Sequence, residues 1–493
     1  MSEEKERNIR LPTTSWDYKF FLLQYRGKAR KDSPVEPDAS WRHASAEAHE
    51  AFRDMKFGVR IHWGIYSAFP GPDACWSESW PFLKLPFAKR QEYQEFYKTW
   101  NPVGFDAEEW MQFFERAGFK CFAFTTKHHE GFSMFDTQAR VKRRVRWTPS
   151  KPKIEDCDLA YSIMETPFKR DVLRELCDAG HAHGIKIDLY FTGPDWYDVD
   201  FMPYGQHPVQ SRRSIMHPLR YASFPFVAGQ KRIVVPHPTK EQVERAMLRH
   251  RQQLVEILGN YGTIDMVCLD LNMGPEVWPY FKETLHVLRG MQPDVMFRNR
   301  TIGNYGDYYT PEGVVPGDPA NTNMSWMVIY PLGRTFSYEP VAENYKGTKW
   351  IVHNLVDIVA KGGNFMAGIG PNGNGQFHPE AIRQLEAAGD WLRVNGEGIY
   401  GTRPWPAAWK EDTSTRFTAT KDGSTVFAFV LEWPGASFKS HVLKPREGSV
   451  VTMFGHPDPL NWQFIDGDLV INLPADLDEK KPCDHAWGFR VEI

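Results

Sequence analysis

The chain has 493 residues, with 59 Lys and Arg against 62 Asp and Glu, a net charge of −3 and a pI near 6.6. That length exceeds one ordinary core and implies two or more domains. The charge balance excludes a basic field for nucleic acid, and no apolar run reaches the ~18 residues of a membrane helix. Aromatic residues make up 14% of the chain and include 18 tryptophans. Large cores account for most of them, and flat rings also pack on the CH faces of sugars. The start, Met1-Ser2-Glu3-Glu4-Lys5-Glu6-Arg7, is charged on both signs with no apolar stretch after it, so a cytoplasmic protein is expected unless a signal has been trimmed. Cys75, Cys121, Cys157, Cys177, Cys268 and Cys483 are scattered without a CxxC pair, which fits reduced thiols.

In chain order, residues 1–50 are polar and irregular, with a short helix expected from Ser45 to Met55. Phe57–Ile61 reads as a strand that runs straight into His62-Trp63-Gly64. Phe105–Gly118 reads as an amphipathic helix with Asp106 as its cap and Trp110, Phe113, Phe114 and Ala117 at helical spacing. Lys120–Thr125 is a buried strand, and just past it stand Lys127, His128, His129 and Glu130. Lys169–His183 is a second helix, and Ile185–Phe191 a strand leading into Thr192-Gly193-Pro194-Asp195-Trp196. Asp198–Pro238 is a long insertion, of a length that usually has a function. Lys240–Tyr261 is a long helix. Met266–Leu269 is a four-residue strand with Asp270 just past it, Val295–Phe297 leads into Arg298-Asn299-Arg300, and Asn364–Ile369 is a late strand.

Helices alternating with short buried strands imply a parallel sheet with helical crossovers. Each strand ends in different polar or aromatic residues, and a parallel barrel gathers such ends on one face. A doubly wound sheet competes, but no Gly-rich phosphate fingerprint follows the first strand. After Trp405 come short runs rich in Val, Phe, Thr and Ile, namely Thr415–Thr420, Thr425–Glu432, Ser449–Phe454 and Asp468–Leu473. These predict a small β-sandwich. The expected organisation is an α/β (β/α)8-like TIM barrel over residues 1–400, with an irregular N-terminal extension, and a C-terminal all-β sandwich over 401–493. The His128-His129 pair suggests a site without defining its chemistry. Metal binding is a rival reading, yet adjacent histidines chelate poorly and no third ligand stands at a motif spacing.

Several segments together resemble the α-L-fucosidases of glycoside hydrolase family 29. They are Phe57-Gly-Val-Arg-Ile-His-Trp-Gly-Ile-Tyr-Ser67, Thr99-Trp-Asn-Pro-Val-Gly-Phe-Asp-Ala-Glu-Glu-Trp110, Thr125-Thr-Lys-His-His-Glu-Gly-Phe132, Tyr261-Gly-Thr-Ile-Asp-Met-Val-Cys-Leu-Asp270, Val359-Ala-Lys-Gly-Gly-Asn364 and Trp391-Leu-Arg-Val-Asn-Gly-Glu-Gly-Ile-Tyr400. The resemblance implies an exo-acting, retaining hydrolase with two carboxyl groups about 5 Å apart. It implies no metal or organic cofactor, and a fucosylated oligosaccharide or glycoconjugate as substrate. No nucleic-acid or membrane partner is implied, and homo-oligomerisation is left open. By the same resemblance Asp270 is the nucleophile. Glu312, in Gly306-Asp-Tyr-Tyr-Thr-Pro-Glu312, is the acid/base, with Asp307, Glu339 and Glu78 as alternatives. His62, His128 and His129 bind sugar hydroxyls, Trp80 lies at the sugar's edge, and Tyr190 and Arg300 line the pocket. Phe336 and Trp326 are expected around the C6 methyl. Two positions depart from the family: Cys268, where Trp is usual, and Met327 after Trp326, where Glu is common. The alternatives are the same mechanism on an α-L-galactoside and an inactive carbohydrate-binding relative.

Overall fold

The computed structural model describes residues 37–71, 75–78, 81–149, 152–202, 238–270, 275–300, 302–311, 313, 315–317 and 324–493. Most of the Asp198–Pro238 insertion, Trp80 and Glu312 therefore lie outside the described residues. Within them, eight parallel strands follow one another around a sheet. In chain order they are β1 Phe57–Ile61 and β2 Cys121–Lys127, then, after a hairpin of β3 Val141–Arg146 and β4 Lys153–Leu159, β5 Lys186–Thr192, β6 Met266–Asp270, β7 Met296–Phe297, β8 Tyr308–Tyr309, β9 Ser325–Pro331 and β10 Asn364–Ile369. β1 pairs with both β2 and β10, and each other neighbour in the sheet is the next strand in sequence, the hairpin apart. A parallel bridge between Arg298 and Tyr308 closes the ring, helped by Asp307 N donating to Phe297 O at 2.7 Å and Asn299 N to Tyr308 O at 2.8 Å. This is the (β/α)8-like barrel expected from the alternation, and the doubly wound sheet is excluded.

The packing follows from the alternation of side chains along each strand. Cys121, Ala123, Met266, Met296, Met327, Ile329 and Met366 fill the lower interior. Gly58 is required there, since a Cβ on it would meet Cys121 Sγ at 2.4 Å and Met366 Sδ at 2.5 Å. The helix Ala46–Met55, capped by the Ser45 side chain, plugs this end with Phe52 and Met55. The helix Ala107–Ala117 begins at Asp106, whose carboxylate accepts from Glu108 N and Glu109 N, and buries Trp110, Met111, Phe113 and Phe114 against the strands. The helix Lys240–Gly259 starts in a capping box of Thr239 and Gln242. Among the described residues no helix is long and apolar enough to cross a membrane.

Two connections depart from the simple alternation. β7 and β8 are two residues each, and a single 3₁₀ turn, Gly303–Tyr305, joins them in place of a helix. β2 runs two residues further than expected, because a register shift between Thr125 and Lys127 lets it keep pairing with β5. Such a bulge re-aims the residues after it, here His128 and His129.

The C-terminal part forms two antiparallel sheets. One has five strands in the order Arg403–Pro404, Thr415–Ala419, Thr425–Val430, Trp487–Glu492, Val451–Met453; the other has Ser437–Ser440, Asp468–Asn472, Trp462–Ile465. A core of their own, from Trp405 to Val491, lies between them. The unit is tied to the barrel helices by Trp391 Nε1 donating to Ala486 O at 2.7 Å and by the Arg416–Asp357 pair at 2.6 Å.

Candidate active site

The strand ends converge on Asp270, the last residue of β6. Tyr190 Oη donates to its Oδ2 at 2.8 Å, and Arg300 Nη1 donates to its Oδ1 at 2.7 Å. Arg298 Nη1 stands 3.8 Å from the same Oδ1, and His129 Nε2 3.8 Å from Oδ2. Burial alone would raise this carboxyl's pKa. Arg300, Arg298, His129 and the Tyr190 hydroxyl outweigh it and hold the group far below the usual carboxylate range. Asp270 is thus an anion at neutral and mildly acidic pH. Burial and Asp270 keep Tyr190 a phenol, able to donate.

Around this carboxylate stands a wall of rings. The His128 ring stacks on Tyr190 at 5.2 Å and meets His129 edge-on at 4.5 Å. His62, from the end of β1, lies 5.9 Å from His128 and stacks on Phe336 at 5.0 Å. Burial, with His129 and His62 nearby, holds His128 well below the ordinary imidazole value, so it is neutral. A neutral imidazole donates from one nitrogen and accepts at the other, which suits a hydroxyl. The structure thus brings together His62, His128, His129, Tyr190, Asp270, Arg300 and Phe336. Gly368 on β10 gives Phe336 its place, since a Cβ there would meet the ring at 2.7 Å.

Trp326 is not brought to this cluster. It is the second residue of β9, near the strand's N-terminal end, and a Cβ on Gly363 would meet its ring at 2.3 Å. It belongs with the layer between strands and helices, while Met327 and Ile329 face the barrel interior. Two of the alternative acid/base residues are committed elsewhere. Asp307 accepts from His43, Arg289 and the backbone of Ala44 and Phe297. Glu339 accepts from Arg334, Asn344 and Val341 N, and these contacts outweigh burial and hold it down to about 2. Neither can keep a proton for a leaving group. Glu78 stays near the site: its N donates at 2.8 Å to the Oγ of Ser337, next to Phe336, and its φ of +52° is a conformation non-glycine residues seldom adopt.

Sequence reasoning saw Cys268, Lys127 and Asp195 but missed the contacts that they make behind the wall. Cys268, the departure from Trp, accepts at its sulfur from Arg298 Nη1 at 3.0 Å and Arg60 Nη1 at 3.4 Å, so two guanidinium groups occupy the interior under the nucleophile. Lys127, Asp195, Arg249 and Gln253 form a buried network beneath the histidines. Lys127 Nζ donates to Gln253 Oε1 at 2.9 Å and reaches Asp195 Oδ2 at 3.4 Å, and Arg249 donates to that oxygen at 2.7 Å. Asp195 also accepts from Tyr197 N and Asp198 N, and Trp196 N donates to His129 O at 2.7 Å. The network thereby sets the backbone of the histidine wall. Gly131 is required beside it, with φ +83° and room for no Cβ, which would sit 2.2 Å from Asp195 Oδ1.

Glu130 is buried at the base of the same loop, its Oε2 3.9 Å from His128 Nδ1. Burial pushes its carboxyl up to about 8. A carboxyl with a raised folded pKa binds its proton in the native state when the unfolded chain has lost it. Its contribution is fully present below the unfolded value of about 4.3 and is lost as pH rises toward 8. Glu130→Gln should therefore gain stability relative to the parent between pH ~5 and pH ~8, by on the order of 2 kcal/mol. Urea denaturation at both pH values measures it, and an unchanged difference would show that Glu130 is ionised in the fold.

A cavity of about 830 Å³ opens at the opposite mouth of the barrel, between Phe52, Met55, Asp265 and Met296. Of the charged groups that line it, Lys186 pairs with Asp265 at 2.6 Å and Asp294 accepts from Ser45 N at 3.2 Å. The convergence of strand-end groups on Asp270 puts the chemistry at the C-terminal face, as in barrel enzymes generally. A carboxylate clamped as an anion at that face, beside the neutral His128 and two further imidazoles placed for hydroxyls, is the arrangement of a glycoside hydrolase.

The family model "Alpha-L-fucosidase" matches residues 23–397, and "Alpha-L-fucosidase C-terminal domain" matches 410–492. The chain belongs to the α-L-fucosidase family. It is 26% identical to the plasma α-L-fucosidase of Homo sapiens over 481 residues, covering 92% of each chain. The structure resembles α-L-fucosidase isoenzyme 1 of Paenibacillus thiaminolyticus, with a TM-score of 0.71 and 25% identity over 90% of this chain and 98% of that one. It shares its fold, at a TM-score of 0.70 and 20% identity over 93% and 99% of the two chains, with a family 29 α-L-fucosidase of Bacteroides thetaiotaomicron described as a trapped covalent intermediate.

Proposed function

We propose that the protein is an exo-acting, retaining α-L-fucosidase that removes terminal α-L-fucose from fucosylated oligosaccharides or glycoconjugates. The observation that carries this reading is the state of Asp270, held ionised and oriented by Tyr190 and Arg300. One carboxylate oxygen attacks the anomeric carbon as the glycosidic bond breaks, and an ester to the enzyme forms with inverted configuration. A protonated carboxyl on the other side gives its proton to the leaving oxygen. Glu312 fills that role by its place in the family's loop. In the second half it takes a proton from water, which displaces Asp270 and restores the original configuration. The Phe336 ring beside His62 offers an apolar contact to the C6 methyl. An added C6 hydroxyl is poorly excluded by such a surface, so α-L-galactosides are turned over as weaker substrates.

Removing the proton donor and removing a binding group have different signatures. Glu312→Ala should slow fucosides with poor leaving groups by on the order of 10³-fold while sparing those with activated phenols. Azide should then attack the ester and yield the α-fucosyl azide. If Glu78→Ala shows that pattern and Glu312→Ala does not, the acid/base is Glu78. If purified protein binds fucosides and turns none of them over, the enzymatic reading fails.

A further inference from the structure

We infer that Thr192 is a positioning residue that sets the tautomer of His129, and so turns a lone pair on Nε2 toward the sugar beside the nucleophile. The inference deepens the fucosidase reading and rests on it. Thr192 is the last residue of β5 and is fully buried. In the sheet it pairs with Asp270, and the following amide, Gly193 N, donates to Asp270 O at 2.7 Å. Its hydroxyl has one hydrogen, and the oxygen is placed to donate it to Pro194 O at 3.2 Å, a carbonyl that can only accept. Its oxygen is hydrogen-bonded to Nδ1 of His129. With the hydroxyl hydrogen committed to the carbonyl, the oxygen acts as acceptor and Nδ1 carries the proton. In the neutral ring Nε2 is then the acceptor, and this nitrogen stands 3.8 Å from Asp270 Oδ2.

Two acceptors facing each other at that distance suit a hydroxyl that donates to the imidazole. The opposite tautomer would put an N–H on the side facing Asp270 Oδ2 and leave no acceptor on Nε2 for a sugar hydroxyl. The ring has little freedom to turn, since Trp196 packs on it at 5.2 Å and the Trp196 amide holds the His129 carbonyl. A sugar attacked at its anomeric carbon by Asp270 places a neighbouring hydroxyl within reach of that nitrogen. The residue type at position 192 therefore bears on recognition without touching the substrate.

The test uses the full chain labelled with ¹⁵N-histidine, compared among wild type, Thr192→Val and Thr192→Ser. Nitrogen shifts report which ring nitrogen is protonated, independently of any turnover. The wild type and Thr192→Ser should show the His129 proton on Nδ1, and Thr192→Val should populate the Nε2–H form. With aryl fucosides, Thr192→Val should lose roughly tenfold in kcat/KM and Thr192→Ser should recover it. The loss should vanish for the one deoxyfucoside lacking the hydroxyl that His129 binds. An Nε2 proton in the wild type would overturn the inference. So would an unchanged tautomer in Thr192→Val, or an equal penalty on every deoxyfucoside. If no fucoside is turned over at all, the functional reading fails while the nitrogen shifts still decide the tautomer.

Discussion

Asp270→Ala should lose on the order of 10⁴-fold or more in kcat on an activated aryl α-L-fucoside, the scale for removing a covalent nucleophile. The reason lies in the contacts. Tyr190, Arg300 and Arg298 are arranged to hold one anion, and without it they present two cations and a hydroxyl to an empty space. Azide fits that space in both charge and size. It should restore turnover and give the β-fucosyl azide, inverted, because the attack becomes a single displacement. Product stereochemistry by NMR distinguishes this from contamination by wild-type enzyme, which returns the α configuration. Near-normal activity in the variant would refute the assignment. The pH dependence follows with its sign. The Asp270 pKa is depressed in the fold, so the group lends stability above its unfolded value, near 3.9, and that contribution fades as pH falls through the folded value. An acid limb in kcat/KM above pH ~5 therefore cannot be the protonation of Asp270.

Asp195→Ala should destabilise the protein by about 3–5 kcal/mol, the cost of leaving a buried charge without its partner. Asp195 is buried between two cations, Lys127 at 3.4 Å and Arg249 at 2.7 Å. Lys127 is already under strain from desolvation, its ammonium brought down to about 8. With the carboxylate gone, the lysine should shed its proton near neutral pH, and the loops holding Trp196 and His129 should loosen. Denaturant unfolding measures the loss, and a KM rise in whatever folded protein remains reports on the wall. A loss below about 1 kcal/mol would mean that water reaches these cations and that the network is not sealed. Arg249→Met in the Asp195→Ala background should restore part of the stability, since the pair would then lose both charges together.

Much of this arrangement was readable in the residues because the barrel strands are short apolar runs whose ends carry the chemistry. Asp270 and the His128-His129 pair stand where an uninterrupted apolar stretch stops, and that signal survives without any tertiary information. Trp326 shows where the signal ends. Its neighbour Met327 faces the barrel interior and Trp326 faces the helices, a difference of one residue in register that sequence spacing cannot supply. The two-residue strands β7 and β8 are too short for any periodicity. Thr192 and Asp195 were visible as the tail of a strand, but their importance comes from contacts to His129 and Lys127, more than sixty positions earlier in the chain. Cys268 could be seen to depart from the family. That two arginines donate to its sulfur depends on β1, β6 and the residues after β7 meeting inside the barrel.

The most direct measurement is to trap the enzyme with 2-deoxy-2-fluoro-fucosyl fluoride, digest it and locate the label by mass spectrometry. A double-displacement enzyme with Asp270 as nucleophile should accumulate one fucosyl ester, on the peptide containing Asp270, and regain activity as the ester hydrolyses. A label on any other carboxylate, or inactivation without a covalent adduct, would contradict it.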